Sequence, residues 1–156
     1  MIELNIPGRG IFQIEYLVCD VNGTLALDGK LIPGVKSLIR KIQDRLKVYL
    51  ITADTHTNQN FIDSELGLQA KIIQKGQEAF QKSEFINQLG ADKVIAIGQG
   101  ANDSEMLKTA AIGICVLSEE GTALESILSA DIIVKNEISA LRLVLNPLRI
   151  VATLRR

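Results

Sequence analysis

The chain has 156 residues, 47% hydrophobic and 22% charged, which excludes a disordered chain and leaves enough apolar surface for one domain, residues 1–156. Its 17 basic and 18 acidic residues give a net charge of −1, and only 4% of residues are aromatic. That balance offers no basic footprint for nucleic acid, no attraction to an anionic membrane surface and no stacking platform for single strands.

In chain order, short apolar runs alternate with stretches of helical period. Residues 16–19 form an apolar run of strand length. The stretch 24–32 reads as a small hairpin or flap turning at Asp28-Gly29. Apolar residues at 35, 38, 39, 42 and 46 predict a helix over 35–46, with Pro33 and Gly34 marking its start. Residues 48–51 are the next strand, and a polar-rich helix over 57–66 is closed by Gly67. A short strand at 71–73 precedes a helix over 78–89, again closed by a glycine, Gly90. Then follow strand 94–97, helix 102–110, strand 112–116, a short helix at 123–128 and strand 131–134. A last helix starts near Glu137, and Pro147 should kink or end it. The first dozen residues are read as a further edge strand. Apolar strands alternating with helices predict a parallel sheet covered on both faces, with right-handed crossovers.

Cys19 and Cys115 are too few for a disulfide framework and both lie in apolar runs, so they are expected in the core. The N-terminus does not read as a signal peptide, and no apolar run approaches the length of a spanning helix, so the expected location is cytoplasmic.

In a parallel α/β sheet, ligands bind outside the carboxyl ends of the strands. The first apolar strand is followed by Asp20-Val21-Asn22-Gly23-Thr24-Leu25, and the second by Thr52-Ala53-Asp54-Thr55. Lys82 lies early in a helix, and Gly98-Gln99-Gly100-Ala101-Asn102-Asp103 follows the fourth strand. A carboxylate, a hydroxyl, an ammonium and a second carboxylate at one rim suit phosphoryl transfer. The carboxylate attacks phosphorus, and the other groups stabilise the equatorial oxygens. A Mg²⁺ held by carboxylates offsets the repulsion of anion by anion. Other readings of single residues stand beside this one. Asp20 could instead be a structural Asp bonding the Asn22-Gly23 loop. Asp54 is a site residue or a helix cap, His56 a first-turn helix residue, and Lys75 a loop rival to Lys82.

Asp20 to Leu25 resembles the first motif of the haloacid dehalogenase (HAD) superfamily, whose commonest phosphatase form is Asp-x-Asp-Gly-Thr. Thr52 is similar to its second motif, Lys82 to its third, and Gly98 to Asp103 to its fourth. The likeness is closest to the phosphorylation domain of P-type ATPases, whose second motif reads Thr-Gly-Asp and whose fourth reads Gly-Asp-Gly-x-Asn-Asp. It continues through Met106-Leu107, Ala111-Ile112-Gly113-Ile114 and Gly121-Thr122-Ala123. The resemblance implies a Rossmann-like, HAD-like three-layer sandwich with no cap domain. It implies Asp20 as phosphate-accepting nucleophile, with Thr52 and Lys82 holding the transferring phosphate beside Asn22, Gly23 and Ala53. It implies Mg²⁺ as cofactor, held by Asp20, the Asn22 carbonyl, Gln99, Asn102 and Asp103.

Asn22 stands where most phosphatases of that family carry the Asp that protonates the leaving group. An amide cannot do so, which removes a general acid/base contribution of roughly 10²–10⁴-fold. Gln99 stands where the family carries a metal-binding Asp, so the metal site should be weaker. Only residues 25–51 separate the first two motifs, too few for the nucleotide-binding domain of a pump. The expected protein is a free-standing soluble relative of that phosphorylation domain. The leading function is a Mg²⁺-dependent phosphohydrolase, slow or selective, acting on a small phosphorylated molecule or a phosphoprotein. Capless relatives often oligomerise, which leaves room for a homo-oligomer. The alternative is a catalytically weakened binding or regulatory module using the same pocket. Metal-free attack on carbon is disfavoured by the ATPase-like fourth motif and the missing cap.

Overall fold

The computed structural model describes residues 1–53 and 57–156, with Thr57 described by its backbone alone. The strands and helices, in chain order, are β1 (Ile2–Ile6), β2 (Gly10–Ile14), β3 (Tyr16–Asp20), β4 (Ala26–Leu27), β5 (Lys30–Leu31), α1 (Val35–Gln43) and β6 (Lys47–Thr52). Then come α2 (Thr57–Leu66), β7 (Lys71–Ile72), α3 (Glu78–Leu89), β8 (Val94–Gly98), α4 (Ser104–Thr109), β9 (Ile112–Val116), α5 (Leu124–Ser129), β10 (Ile132–Val134), α6 (Glu137–Leu145) and α7 (Pro147–Leu154).

Six strands form one parallel sheet in the order β10-β9-β8-β3-β6-β7. Because neighbouring side chains on a strand point to opposite faces, the apolar runs feed two cores. Leu17 and Cys19 of β3, Val48 and Leu50 of β6, and Ile95 and Ile97 of β8 pack into one core with α1, α6 and α7. Val18, Ile51, Val94 and Ala96 pack into the other with Phe85 and Ile86 of α3 and Met106 and Leu107 of α4. A strand buried on both faces has no polar side to show, which is why these runs read as continuous hydrophobic stretches. Strand β3 lies between β6 and β8, with Asp20 opposite Ile51 and Cys19 opposite Ile97, so Asp20 ends a central strand at the carboxyl rim. Both cysteines are buried and unpaired, as expected.

The first dozen residues depart from the expected edge strand. Strands β1 and β2 pair with each other, antiparallel, from Ile2 opposite Ile14 to Ile6 opposite Gly10, outside the parallel sheet. Alternation explains it: Ile2, Leu4 and Ile6 are buried while Glu3 and Asn5 face out, so this half-polar strand suits one apolar face. Helix α1 ends three residues short of Leu46, because Arg45 and Leu46 both donate to the Ile42 carbonyl in a closing turn. The stretch at 102–110 starts as a 3₁₀ turn over Ala101–Asp103 before α4. Pro147 divides the C-terminal helix into α6 and α7, standing in the first turn of α7 where its missing N–H costs nothing. The flap turns at Asp28 and Gly29, both at positive φ (50° and 75°), which matches the right-handed twist of its strands. No described helix is long and apolar enough to cross a membrane.

If the β1–β2 hairpin is structural, Leu4→Ala should cost about 2–5 kcal/mol, because Leu4 is fully buried. Ile11→Ala, on the exposed side of β2, should cost under about 0.5 kcal/mol. Denaturant unfolding of both variants checks this, and equal costs would contradict the packing described.

Candidate active site

The loop after β3 is wound tightly around one carbonyl. Val21 O accepts from the backbone N–H groups of Thr24, Leu25 and Ala26, and Gly23 N–H donates to Ala26 O at 2.7 Å. This leaves the Asp20 carboxylate at the floor of a cavity of about 680 Å³, lined also by Asn22, Thr52, Ala53, Gln99 and Asn102. Thr52, at the end of β6, is buried, and its Oγ1 accepts a hydrogen bond from Asn22 Nδ2 at 3.2 Å.

Lys82 reaches this floor from the buried face of α3 and is 0% exposed. Its ammonium donates to Asp20 Oδ1 at 2.7 Å, to Asp103 Oδ1 at 2.6 Å and, more weakly, to Asn102 Oδ1 at 3.4 Å. Three protons thus meet three acceptors, and the lysine is held in one direction. Thr24 Oγ1 donates to the other Asp20 oxygen at 3.2 Å.

Asp103 was expected among the metal ligands; in this structure its two oxygens meet Lys82 and the loop after β8. It is wholly buried, its Oδ1 is held by Lys82, and its Oδ2 accepts from the backbone N–H groups of Gln99 and Gly100, each at 2.9 Å. Both oxygens are engaged below the cavity, so Asp103 orients Lys82 and the loop after β8. Gly98 makes room for it, since a Cβ there would stand 2.6 Å from Asp103 Cγ. Gln99 folds over the nucleophile loop, where a Cβ on Gly23 would meet its Nε2 at 1.9 Å.

Among the described residues, no three acidic, histidine or cysteine side chains gather into a metal cluster. The cavity offers the Asp20 carboxylate with the amides of Asn22, Gln99 and Asn102. Glu78 lines it too. The Asp20 carboxylate with these neutral oxygens fits a hard cation such as Mg²⁺, which often keeps its waters and takes one or two carboxylates plus substrate oxygens. Asp54 and His56 lie outside the described residues. Lys75 sits in the loop before α3 and lines the same cavity, as does Glu78. Sequence reasoning missed Thr24, Glu78 and Glu120. Glu120 follows β9 at the same rim, and its Oε1 accepts from the Asp28 N–H of the flap at 2.9 Å. The strand-end rule could have found it, but no motif marked it.

Burial pushes the Asp20 carboxyl up to about 7, Asp103 adds to that, and Lys82 and Thr24 only partly oppose it. Burial presses Lys82 the other way, but the charges of Asp20 and Asp103 outweigh it and the net shift is upward. Cys19 is pushed well above the usual thiol range by burial and then by Asp20, so it is an inert neighbour of Asp20.

The model of a hydrolase family, haloacid dehalogenase-like hydrolase, matches residues 3–111. An uncharacterised protein of Methanocaldococcus jannaschii is 44% identical over 84 residues, covering 51% of this chain and 90% of that one. A probable copper-exporting P-type ATPase of Archaeoglobus fulgidus is 33% identical over 108 residues, covering 68% of this chain. This chain spans only 13% of that pump's length. Among solved structures, 3-deoxy-D-manno-octulosonate 8-phosphate phosphatase of Moraxella catarrhalis, in complex with magnesium and phosphate ions, aligns with a TM-score of 0.66 at 19% identity. That alignment covers 85% of this chain and 86% of the phosphatase. At that identity the likeness shows the fold.

The Asp20 shift has a stability consequence whose sign is fixed. The folded chain keeps a proton on Asp20 up to about pH 7, whereas an unfolded Asp releases it near 3.9. Folded Asp20 therefore loses stability as pH rises between those values. Lys82, shifted upward, holds its contribution throughout that window. With chelator present, the stability gap favouring Asp20→Asn over the natural chain should widen by roughly 2–3 kcal/mol from pH 5 to pH 8. Urea unfolding at both pH values measures it, and a gap that is flat or shrinks would refute the electrostatic account of the triad.

Proposed function

Because the chain belongs to the haloacid dehalogenase-like hydrolase family, we propose that it is a Mg²⁺-dependent phosphohydrolase, slow or selective, that works through a phosphorylated Asp20. The observation that carries this is the Asp20 carboxylate, held at 2.7 Å by a buried lysine that Asp103 in turn orients, at the floor of an open cavity. In the first step an Asp20 oxygen attacks phosphorus and the bond to the leaving oxygen breaks. Thr52 and Lys82 meet the phosphoryl oxygens, and Lys82 exchanges one of its three present acceptors for phosphate. Asn22 gives the leaving oxygen no proton, so that oxygen departs as an anion or is protonated from solvent. In the second step water attacks phosphorus, releasing inorganic phosphate and Asp20. Asp20, the Asn22 carbonyl, Gln99 and Asn102 would hold Mg²⁺, whose charge lowers the Asp20 pKa and offsets anion–anion repulsion.

The missing general acid favours aryl and acyl phosphates, whose leaving groups need little protonation. One observation favours the alternative, a weakened binding or regulatory module. Gln99 lines the cavity with a neutral amide, and among the described residues no cluster of three acidic, histidine or cysteine side chains forms to tighten a metal.

A panel of aryl, acyl and alkyl phosphates, assayed with Mg²⁺ and with chelator, separates the two. The enzyme reading expects Mg²⁺-dependent release of phosphate, fastest for aryl and acyl esters. It also expects Asn22→Asp to raise alkyl-ester turnover at least ~10-fold and aryl turnover less. No turnover of any ester with Mg²⁺ would leave the binding-module reading standing.

A further inference from the structure

Ser126, in α5, is wholly buried and has no part in the proposed phosphoryl transfer. Its Oγ donates to the Gly100 carbonyl at 2.5 Å. Gly100 lines the Asp20 cavity beside Gln99 and Asn102. A serine inside a helix commonly bonds a carbonyl one turn back on its own helix, as Ser83 does with Phe80 O at 2.9 Å. Ser126 gives its proton instead to a loop 26 residues earlier in the chain.

The backbone of that loop is engaged throughout. Gln99 N–H and Gly100 N–H donate to Asp103 Oδ2, and Gly100 O also accepts from Asp103 N–H, each at 2.9 Å. Gln99 O accepts from the N–H of Ala123, the residue before α5, at 2.9 Å. The bonds to Asp103 close the loop on itself and set its shape. The bonds from Ala123 and Ser126 tie it to the α5 segment and set where it stands. Ala123 contributes a backbone group and Ser126 a side chain, so a substitution at Ser126 releases its part of the tie and leaves the other in place.

We infer that Ser126 is a positioning residue: through Gly100 it holds the Gln99 and Asn102 side chains where their oxygens can take a divalent cation. The inference rests on the phosphohydrolase reading, in which those two amides share Mg²⁺ with Asp20 and the Asn22 carbonyl. Mg²⁺ demands near-octahedral geometry, and neutral oxygens attract it less than carboxylates do, so their placement matters more. A loop that the ion itself must order binds that ion more weakly. A phosphate group meets Thr52 and Lys82 instead, on β6 and α3, so its metal-free binding does not run through this tie.

The test is calorimetric titration of Mg²⁺ into the full natural chain, Ser126→Ala and Ile42→Val, with inorganic phosphate titrated separately in chelator. Ile42 lies in the core on the other face of the sheet, and losing one methyl there costs about as much stability as losing one hydrogen bond. Ser126→Ala should bind Mg²⁺ about 3- to 10-fold more weakly and phosphate within about twofold of the natural chain, whereas Ile42→Val should change neither. In chelator, amide hydrogen exchange at Gln99 and Gly100 should be faster in Ser126→Ala and unchanged in Ile42→Val. Aryl phosphate turnover by Ser126→Ala should need more Mg²⁺ but reach the natural kcat, within about twofold, once Mg²⁺ saturates. Equal Mg²⁺ affinity in Ser126→Ala, unchanged exchange at both amides, or the same loss in Ile42→Val would overturn the inference and leave the phosphohydrolase reading intact. A kcat defect that saturating Mg²⁺ does not repair would do the same. If the natural chain takes up no Mg²⁺, the phosphohydrolase reading falls and the inference with it.

Discussion

The ammonium of Lys82 joins three parts of the fold that are distant in sequence. It leaves α3, bonds Asp20 at the end of β3, and is braced by Asp103 in the turn before α4. Burying a lysine is expensive unless its charge is matched and its protons are placed, and here both conditions hold. Removing Asp103 would leave the buried ammonium less than fully compensated. Removing the lysine would press two buried carboxylates against each other. The wall of the cavity, the position of the Asp20 carboxylate and the conformation of the loop after β8 all depend on this one set of contacts.

The same contacts set what the site can do. With Asp20 pushed up to about 7, a cation in the cavity would keep its carboxylate ionised well below that pH. Asn22 and Gln99 each put an amide where a carboxylate would add charge. Under the proposed phosphohydrolase reading, the cavity would therefore repel an incoming phosphate less, but it would hold metal less tightly and offer the leaving group no proton. Asn22 is not idle, since its Nδ2 holds the Thr52 hydroxyl in place. Glu120 fastens the flap tip by accepting from the Asp28 N–H.

Much of this was legible in the sequence, for local reasons. The helices Thr57–Leu66 and Glu78–Leu89 end at Gly67 and Gly90, both at positive φ, and the strand Ile112–Val116 is a continuous apolar run. That Asp20, Thr52 and Lys82 share one rim followed from the strand-end rule and the ordered motifs. What was not legible depends on long-range pairing. An alternating strand such as β1 fits an edge of the parallel sheet or a hairpin of its own, and only the partner decides. The motif did not show that the loop turns the Asp103 oxygens onto Gln99 N–H, Gly100 N–H and Lys82. Glu120 carries no motif, and its role exists only because the flap folds over to meet it.

The central claim is that Asp20 is a nucleophile toward phosphorus. Incubating the chain with acetyl phosphate and Mg²⁺, quenching in acid and reading peptide masses tests it without any assumption about the natural substrate. The account predicts a phosphoryl group on Asp20 that hydroxylamine removes, absent when chelator replaces the metal and absent in Lys82→Ala. A chain that stays unlabelled in Mg²⁺, or that carries its label on another residue, would contradict it.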